Sequence, residues 1–230
     1  EMCIRDRYYL RDPVIGENYN AEDIGDSFQE SIDWLITQTV AQYPGGPQVP
    51  KFTVNGQIST GLSKKKKREM IEDAFFAKMT PYDGKLHLNI KGRNTTPVLD
   101  FNRENIVGDF NEDGLDKRKR YNRVTVSFPS PEMNFEDDFV SYPEAGDPLY
   151  DEWLKDDNYV EKETTIERPL CNNAYEALLH AKVEARESRE TTSVKFTAQV
   201  EASQLVQYDV ISVTDLSLIH ISEPTRLRRI

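Results

Sequence analysis

The sequence is poor in cysteine and histidine: its 230 residues include two cysteines and three histidines. It contains no apolar run close to the roughly 20 residues that span a bilayer, and no P-loop, G-x-G-x-x-G or H-E-x-x-H motif. Basic residues are also outnumbered, 29 against 40 acidic ones, which gives a net charge of −11. Because phosphate contacts need a surplus of Lys and Arg, this balance argues against a nucleic-acid-binding protein.

Both ends of the chain match translated sequencing-adapter sequence. Residues 1–7 fit the mosaic end of a transposase-based adapter, and residues 216–230 begin with its reverse complement. We therefore expect both segments to be adapter artefacts that lack native packing, flanking a natural fragment of a longer gene. In this interpretation Cys3 is an artefact and Cys171 stands alone, so the sequence predicts no internal disulfide and no cysteine metal site.

The clearest local pattern lies at residues 120–132. Val124, Val126 and Phe128 alternate with polar residues, which predicts a half-buried strand. Pro129 and Pro131 lack amide donors and are expected to end it. This strand is the element around which we expect the rest of the fold to be organised.

The order of residues in this strand is similar to the "(Y/F)NRVxVxFPxPxxN" segment of the bacteriophage tail-tip hub family, which includes tip attachment protein J. The similarity runs from Tyr121 to Asn134 without a break. Five further segments resemble family motifs: 51–58 "RFTxNGxI", 84–90 "G(K/R)YxLxI", 101–110 "FTEDNIVGDW", 193–198 "TVSFTA" and 208–214 "GDVIxVT". Tyr208 stands where the last of these motifs has glycine.

The resemblance implies a sheet-rich α+β fold and a structural role. It implies an α+β unit over residues 8–100, followed at 101–215 by a barrel-like antiparallel β unit with one inserted helix. The family forms the tail tip or baseplate hub and contributes to tail assembly and host attachment. By resemblance we expect a homotrimer that contacts the distal tail and tape-measure proteins, assembled in the bacterial cytoplasm and located in the virion. No enzymatic activity, catalytic residue, cofactor or metal site is predicted.

Periodicity predicts the remaining elements. Ile24, Phe28, Ile32, Leu35 and Ile36 mark one helix face, and a second helix follows Ser63 and carries Ile71, Ala74, Phe75 and Met79 on one face. Residues 51–58 and 82–84 predict hairpin turns, residues 132–160 mostly loop, and Asn173 with Glu176 a capping box for a third helix. We expect burial of Phe52, Val54, Leu86, Leu88, Ile90, Val124, Val126 and Phe196, and exposure of Lys85, Lys91 and Lys195. Basic residues 64–68 are interpreted as a solvated first turn.

Three chemical alternatives were weighed against this structural role. Residues 109–114 match the first half of a calcium loop, but Arg120 occupies the position of the required final acid. His180 is interpreted as an exposed partner of Glu184, four residues on. The main alternative function is a carbohydrate-binding module or glycoside hydrolase acting on cell-envelope glycans. It would use the acids Glu136, Asp137, Asp138, Asp156 and Asp157 and the rings of Tyr142, Tyr150 and Trp153.

Overall fold

The structure is a computed structural model that describes residues 9–13, 16–43, 45–113, 119–190 and 193–214. The residues expected to be adapter artefacts, 1–7 and 216–230, lie outside this part of the chain. The helices are α1 (Asp26–Thr37), α2 (Lys64–Ala74), α3 (Pro148–Asp156) and α4 (Ala174–Glu190). The strands are β1 (Thr39–Ala41), β2 (Gln48–Pro50), β3 (Ala77–Tyr82), β4 (Lys85–Ile90), β5 (Leu99–Phe101), β6 (Asn111–Asp113), β7 (Arg123–Ser130), β8 (Glu136–Tyr142), β9 (Glu163–Glu167), β10 (Ser193–Lys195) and β11 (Ile211–Val213).

Helices and several small sheets together confirm the predicted α+β class. Strands β1–β2, β3–β4 and β6–β10 form antiparallel pairs, and β8, β7 and β9 form a three-stranded sheet in that order. Two pairings after residue 98 are parallel, β7 with β9 and β5 with β11, whereas the sequence predicted antiparallel strands there. Both join segments separated by long connections rather than tight turns, and such connections permit parallel pairing. Within the described residues, no helix is both long and apolar enough to cross a membrane.

Strand β7 is the centre of its sheet, as predicted. Val124 and Val126 are fully buried and pack, with Phe128, against small residues one helical turn apart on α4: Ala177, Ala181 and Ala185. The strand runs on through Pro129 to Ser130, so the prediction that Pro129 ends it is wrong. Pairing with β9 stops two residues earlier, at Ser127, so no β9 acceptor stands opposite the missing amide of Pro129.

A second core lies between α1, α2 and the β3–β4 hairpin. Phe28, Ile32 and Leu35 of α1 are buried in it as predicted. Ile36 is 60% exposed, since it lies in the last turn of α1, at the edge of the buried stripe and about 40° beyond Ile32. The Ser31 hydroxyl takes the inward position instead and donates to the Leu88 carbonyl at 2.6 Å. One polar contact thereby fixes α1 on β4.

Two predicted segments differ in the structure. The helix after Ser63 ends at Ala74, and Met79 lies in β3. Residues 51–58 form no hairpin; the Asn55 amide instead donates to the Leu170 carbonyl at 2.8 Å. The hairpin predicted at residues 82–84 is present, and Asp83 and Gly84 both have positive φ, 50° and 73°, the geometry of a type I′ turn.

The acidic stretch at residues 132–160, predicted as mostly loop, contains β8 and α3. The β8 strand forms because Val140 and Tyr142 pack on the β7–α4 core. Asp147 caps α3 by accepting a hydrogen bond from the Leu149 amide at 2.9 Å, and Pro148 occupies its first turn. Core packing therefore explains β8 and helix capping explains α3, although the apolar periodicity of this stretch is too weak to predict either element.

The predicted burial pattern is largely confirmed. Phe52, Leu86, Leu88, Ile90, Val124 and Val126 are buried, and Lys85 and Lys195 are exposed. Val54 and Phe196 are half-buried. Lys91 is also half-buried and pairs with Glu187 of α4, so its predicted exposure is wrong. Leu179 of α4 packs on the core of α1 and α2 while the helix alanines pack on β7, so α4 contacts both cores. A boundary between two sub-domains near residue 100 stays a prediction.

Candidate functional site

Three segments of the second half of the chain, residues 101–110, 193–198 and 208–214, contact one another. The parallel pairing of β5 with β11 joins Phe101 to Val213, and the Val107 amide donates to the Thr197 carbonyl at 2.7 Å. The Phe196 ring lies 5.0 Å from that of Phe101 and 5.8 Å from that of Phe110. Segments more than 80 residues apart in the sequence therefore form one aromatic-centred contact.

Tyr208, where the family motif has glycine, adopts a left-handed backbone with φ of 74°. Glycine enters this region without a steric penalty, whereas a side chain with a Cβ is strained there. The ring is half-buried and the Lys91 ammonium lies 5.9 Å from its centre. The chain thus keeps the backbone turn that a glycine would permit and adds a packed ring to it.

The beginning of β7 is held by a buried asparagine. Asn122 is fully buried; its side-chain amide donates to the Val160 carbonyl at 2.7 Å and its side-chain oxygen accepts from the Lys162 amide at 2.8 Å. Next to it, Arg123 pairs with Glu163 at 2.9 Å. These contacts fix the connection between α3 and β9 to the central strand.

Asp157, one of the acids considered for glycoside hydrolysis, is buried in an ion pair. Its carboxylate lies 2.6 Å from the Arg189 guanidinium and 3.4 Å from the Lys162 ammonium. Burial alone would raise the pKa of Asp157, but the hydrogen bond and charge of Arg189, with Lys162, lower it below its usual value. A general acid of a glycosidase needs a raised pKa. The pKa of Asp157 is shifted in the opposite direction, so this carboxylate does not suit that role. Glu136 and Asp137 are exposed on β8.

The three rings considered for sugar stacking pack inward. Trp153 lies edge-on to Tyr142 at 6.1 Å, and the Arg189 guanidinium covers the Trp153 ring at 4.8 Å. Lys182 lies 5.3 Å from the Tyr142 ring and Arg123 lies 4.1 Å from that of Tyr150. A cation lies near one face of each ring, and Tyr142 and Trp153 also pack on the β7–α4 core, so these two rings serve as anchors of β8 and α3.

His180 and Glu176, four residues apart on α4, are both buried. The interpretation of His180 as an exposed partner of Glu184 is therefore wrong. The Arg168 Nε donates to His180 Nδ1 at 3.4 Å, and the Phe76 ring lies 4.4 Å from the imidazole. Burial, with the nearby charge of Arg168, lowers the pKa of His180 to about 3.

Glu176 reaches across to the first half of the chain, and the capping box of Asn173 with Glu176 stays a prediction. Its carboxylate accepts from the Thr53 amide at 2.8 Å and from the Thr53 hydroxyl at 2.5 Å. Burial raises the pKa of Glu176, although these hydrogen bonds oppose the shift. Burial also raises the pKa of the Cys171 thiol to about 12, and the neighbouring Glu176 adds to that rise. Cys171 is therefore a protonated core residue rather than a nucleophile.

A cavity of about 550 Å³ lies beside these residues, between α2 and the end of β9. Its lining includes Lys66, Met70, Asp73, Arg168 and His180. Arg168 and Asp73 form an ion pair at 3.8 Å, so much of the polar lining is already partnered.

Of the basic run at 64–68, only the first three side chains are exposed as predicted. Lys67 is buried and Arg68 pairs with Glu17.

Within the described ranges, no group of three or more His, Cys, Asp or Glu residues is arranged to hold a metal ion. The calcium-like segment at 109–120 lies partly outside those ranges, because residues 114–118 are not described. Three apolar side chains near the start of β8 are exposed: Met133, Phe135 and Phe139, at 52%, 69% and 60%.

The chain is similar to known proteins in structure rather than in sequence. No protein-family model matches the sequence, and no curated protein sequence matches it. Among solved structures, the chain is similar to a 43 kDa tail protein of the prophage MuSo2 from Shewanella oneidensis, with a TM-score of 0.43 and 10% sequence identity. The alignment covers 73% of this chain and 53% of that protein, so the chain spans about half of its length.

Proposed function

We propose that the chain is a structural component of the tail tip, or baseplate hub, of a phage or prophage. The observation that carries the proposal is the meeting of the hub-like segments: residues 101–110 contact residues 193–198 and 208–214 around Phe196. The fourth segment, at 121–134, supplies the central strand of the next sheet. Motifs that pack together in this way are under a common structural constraint, which supports membership of one fold family rather than unrelated local similarities.

The states of the titratable groups favour a mechanical role over catalysis. His180 is held neutral, Cys171 is held protonated and Asp157 is held in an ion pair with Arg189. None of the three has a pKa near neutral pH, where a general acid or base works best. In the proposed role the subunit folds rigidly, contributes to closing the tail tube and transmits host contact.

The resemblance also supplies the expected assembly. The proposal includes a homotrimer in the virion tail, contacts with the distal tail and tape-measure proteins, and assembly in the bacterial cytoplasm. Such a subunit needs exposed apolar side chains where copies meet. Tyr159 and Val200, which are 72% and 80% exposed, are apolar side chains that such contacts could cover.

Sedimentation velocity of the full chain, at low and high salt, tests this assembly. We expect a trimer that forms more readily as salt rises, because salt screens the repulsion between chains of net charge −11 over roughly 8–10 Å. A monomer at every salt and protein concentration would contradict the proposal. Dimers that dissociate as salt rises would indicate charge-paired contacts and would also contradict it.

Incubation with purified cell-envelope glycans provides the matched test of the alternative function. A hub subunit of this kind neither retains nor cleaves the glycans. Retention that is lost on Trp153→Ala would show that the ring binds sugar despite the Arg189 guanidinium over it. That result would favour a carbohydrate-binding module and would overturn the proposed role.

A further inference from the structure

In the part of the chain that the structure describes, the outer edge of β8 is open, and its outward backbone groups are not paired with another strand. Within the described residues β8 pairs with β7 alone. The Ser127 carbonyl accepts the Arg168 amide at 2.9 Å and therefore points toward β9. Phe139 stands opposite Ser127, so its own N–H and C=O point away from β7, into the open edge. By alternation the same holds for Asp137 and Ser141.

The two edges of this sheet differ in the side chains that accompany their outward backbone groups. At the β9 edge these residues are Glu163, Thr165 and Glu167, which are all exposed and present acidic or polar groups. Charged residues of this kind discourage the addition of another strand. At the β8 edge the central residue is Phe139, which is 60% exposed and lies four residues from the exposed Phe135. The β8 edge therefore has an exposed apolar ring at its centre, where the β9 edge carries only acidic or polar groups.

A groove of about 330 Å³ runs beside this edge. It is lined by Arg123, Phe139, Val140, Ser141, Glu144 and Ala145. Arg123 is already paired with Glu163 and lies over the Tyr150 ring. The acids near the groove, Asp137 before Phe139 and Glu144 beyond Ser141, are both exposed. The groove thus places an apolar ring between two acidic groups.

We propose that the β8 edge binds an extended segment of another protein as an additional antiparallel strand. The segment carries an apolar residue opposite Phe139 and a basic residue two positions away on each side. In that register the side chains on one face alternate basic, apolar, basic, and they meet Asp137, Phe139 and the Glu144 end of the groove. Backbone hydrogen bonds to residues 137, 139 and 141 supply the pairing, as in other cases of strand addition.

Charge selects this occupant over a second copy of the chain. Two copies that meet at this edge would each bring a net charge of −11, and like charges oppose the encounter. Asp138 currently accepts the Phe139 amide hydrogen bond at 2.8 Å. An incoming carbonyl can take over that amide from the Asp138 carboxylate. The proposal does not depend on the tail function proposed above.

The test uses the full chain and a synthetic seven-residue peptide with lysine, phenylalanine and lysine at alternate positions and threonine elsewhere. Binding is measured by fluorescence anisotropy, and amide hydrogen exchange is followed by NMR. We expect binding that weakens as salt rises, with slowed exchange at Asp137, Phe139 and Ser141. A peptide in which glutamate replaces both lysines should bind at least about tenfold more weakly.

Two proline substitutions form a matched pair. Phe139→Pro removes an amide that points out of the β8 edge, and Thr165→Pro removes one that points out of the β9 edge. We expect the first to weaken peptide binding at least about tenfold and the second to leave it within about twofold. Phe139→Ser keeps the backbone donor and removes the ring, so it tests the site without a proline. It too should weaken binding.

Three outcomes would overturn the proposal. The first is equal binding of the lysine and glutamate peptides. The second is equal loss of binding in Phe139→Pro and Thr165→Pro, with both variants folded by circular dichroism. The third is self-association of the unliganded chain that Phe139→Pro abolishes, since that result would assign the edge to a second copy.

Discussion

The Glu176 carboxylate accepts both the backbone amide and the hydroxyl of Thr53, a residue 123 positions earlier in the chain. The Glu176 end of the contact is buried, and the contact joins α4 to the segment that follows β2. It therefore links the core built by α1 and α2 to the helix that covers β7. We expect it to be among the polar contacts that contribute most to stability.

Substitution of Glu176 tests this contact. Glu176→Ala leaves the buried Thr53 amide without its acceptor, and we expect a loss of about 2–3 kcal/mol in the free energy of unfolding. Glu176→Gln keeps one acceptor and should lose less. Urea denaturation of both variants measures the difference. A loss below about 0.5 kcal/mol for Glu176→Ala would show that the contact is dispensable.

The buried imidazole of His180 predicts a pH dependence of stability. Its pKa in the folded chain is lowered to about 3, below the ordinary value near 6.5. Below pH 6.5 the unfolded chain therefore binds a proton that the folded chain does not, and stability falls as the pH falls toward 3. We expect about 2 kcal/mol to be lost between pH 7 and pH 5.

Urea denaturation at both pH values compares the parent chain with His180→Asn, which cannot titrate. We expect the variant to show a correspondingly smaller loss between pH 7 and pH 5, whatever its stability at pH 7. Equal losses in the two proteins would mean that His180 takes up a proton readily in the folded state.

Asn122 gives a third prediction. Asn122→Ala leaves the Val160 carbonyl and the Lys162 amide without their partners. We expect about 2–3 kcal/mol of destabilisation, measured by urea denaturation. Asn94→Ala, at an exposed position, is the control and should change stability by less than about 0.5 kcal/mol. Similar effects of the two substitutions would show that the connection to β9 does not depend on Asn122.

Phe135 gives a prediction of opposite sign. It is 69% exposed and has a φ of 64°, a left-handed conformation that favours glycine. Phe135→Gly should raise the free energy of unfolding by about 1 kcal/mol, because it removes strain and little buried surface. Phe139→Gly, in an extended strand, should lower it by about 0.5–1 kcal/mol. Thermal unfolding of the pair distinguishes backbone strain from a general effect of removing exposed phenylalanine.

The sequence predicted those elements whose cause is local. The alternation in β7 and the positive-φ residues Asp83 and Gly84 carry their own structural signal, and both predictions are confirmed. The conformation of residues 51–58 depends instead on a hydrogen-bond acceptor that is distant in the sequence, the Leu170 carbonyl. The spacing of apolar residues predicts which side of a helix is buried, but it does not predict which polar residues are buried on that side. His180 was misassigned because its environment comes from Phe76 and Arg168, which are remote in sequence.

The parallel pairing of β5 with β11 constrains the order of events during synthesis on the ribosome. Leu99 pairs with Ile211, so β5 leaves the ribosome well before its partner strand exists. At about 5–20 residues per second, the roughly 110 intervening residues take about 5–20 s to be made. The contact between β5 and β11 therefore forms late in translation. Until then β5 is an unpaired strand that chaperones or neighbouring nascent chains can reach.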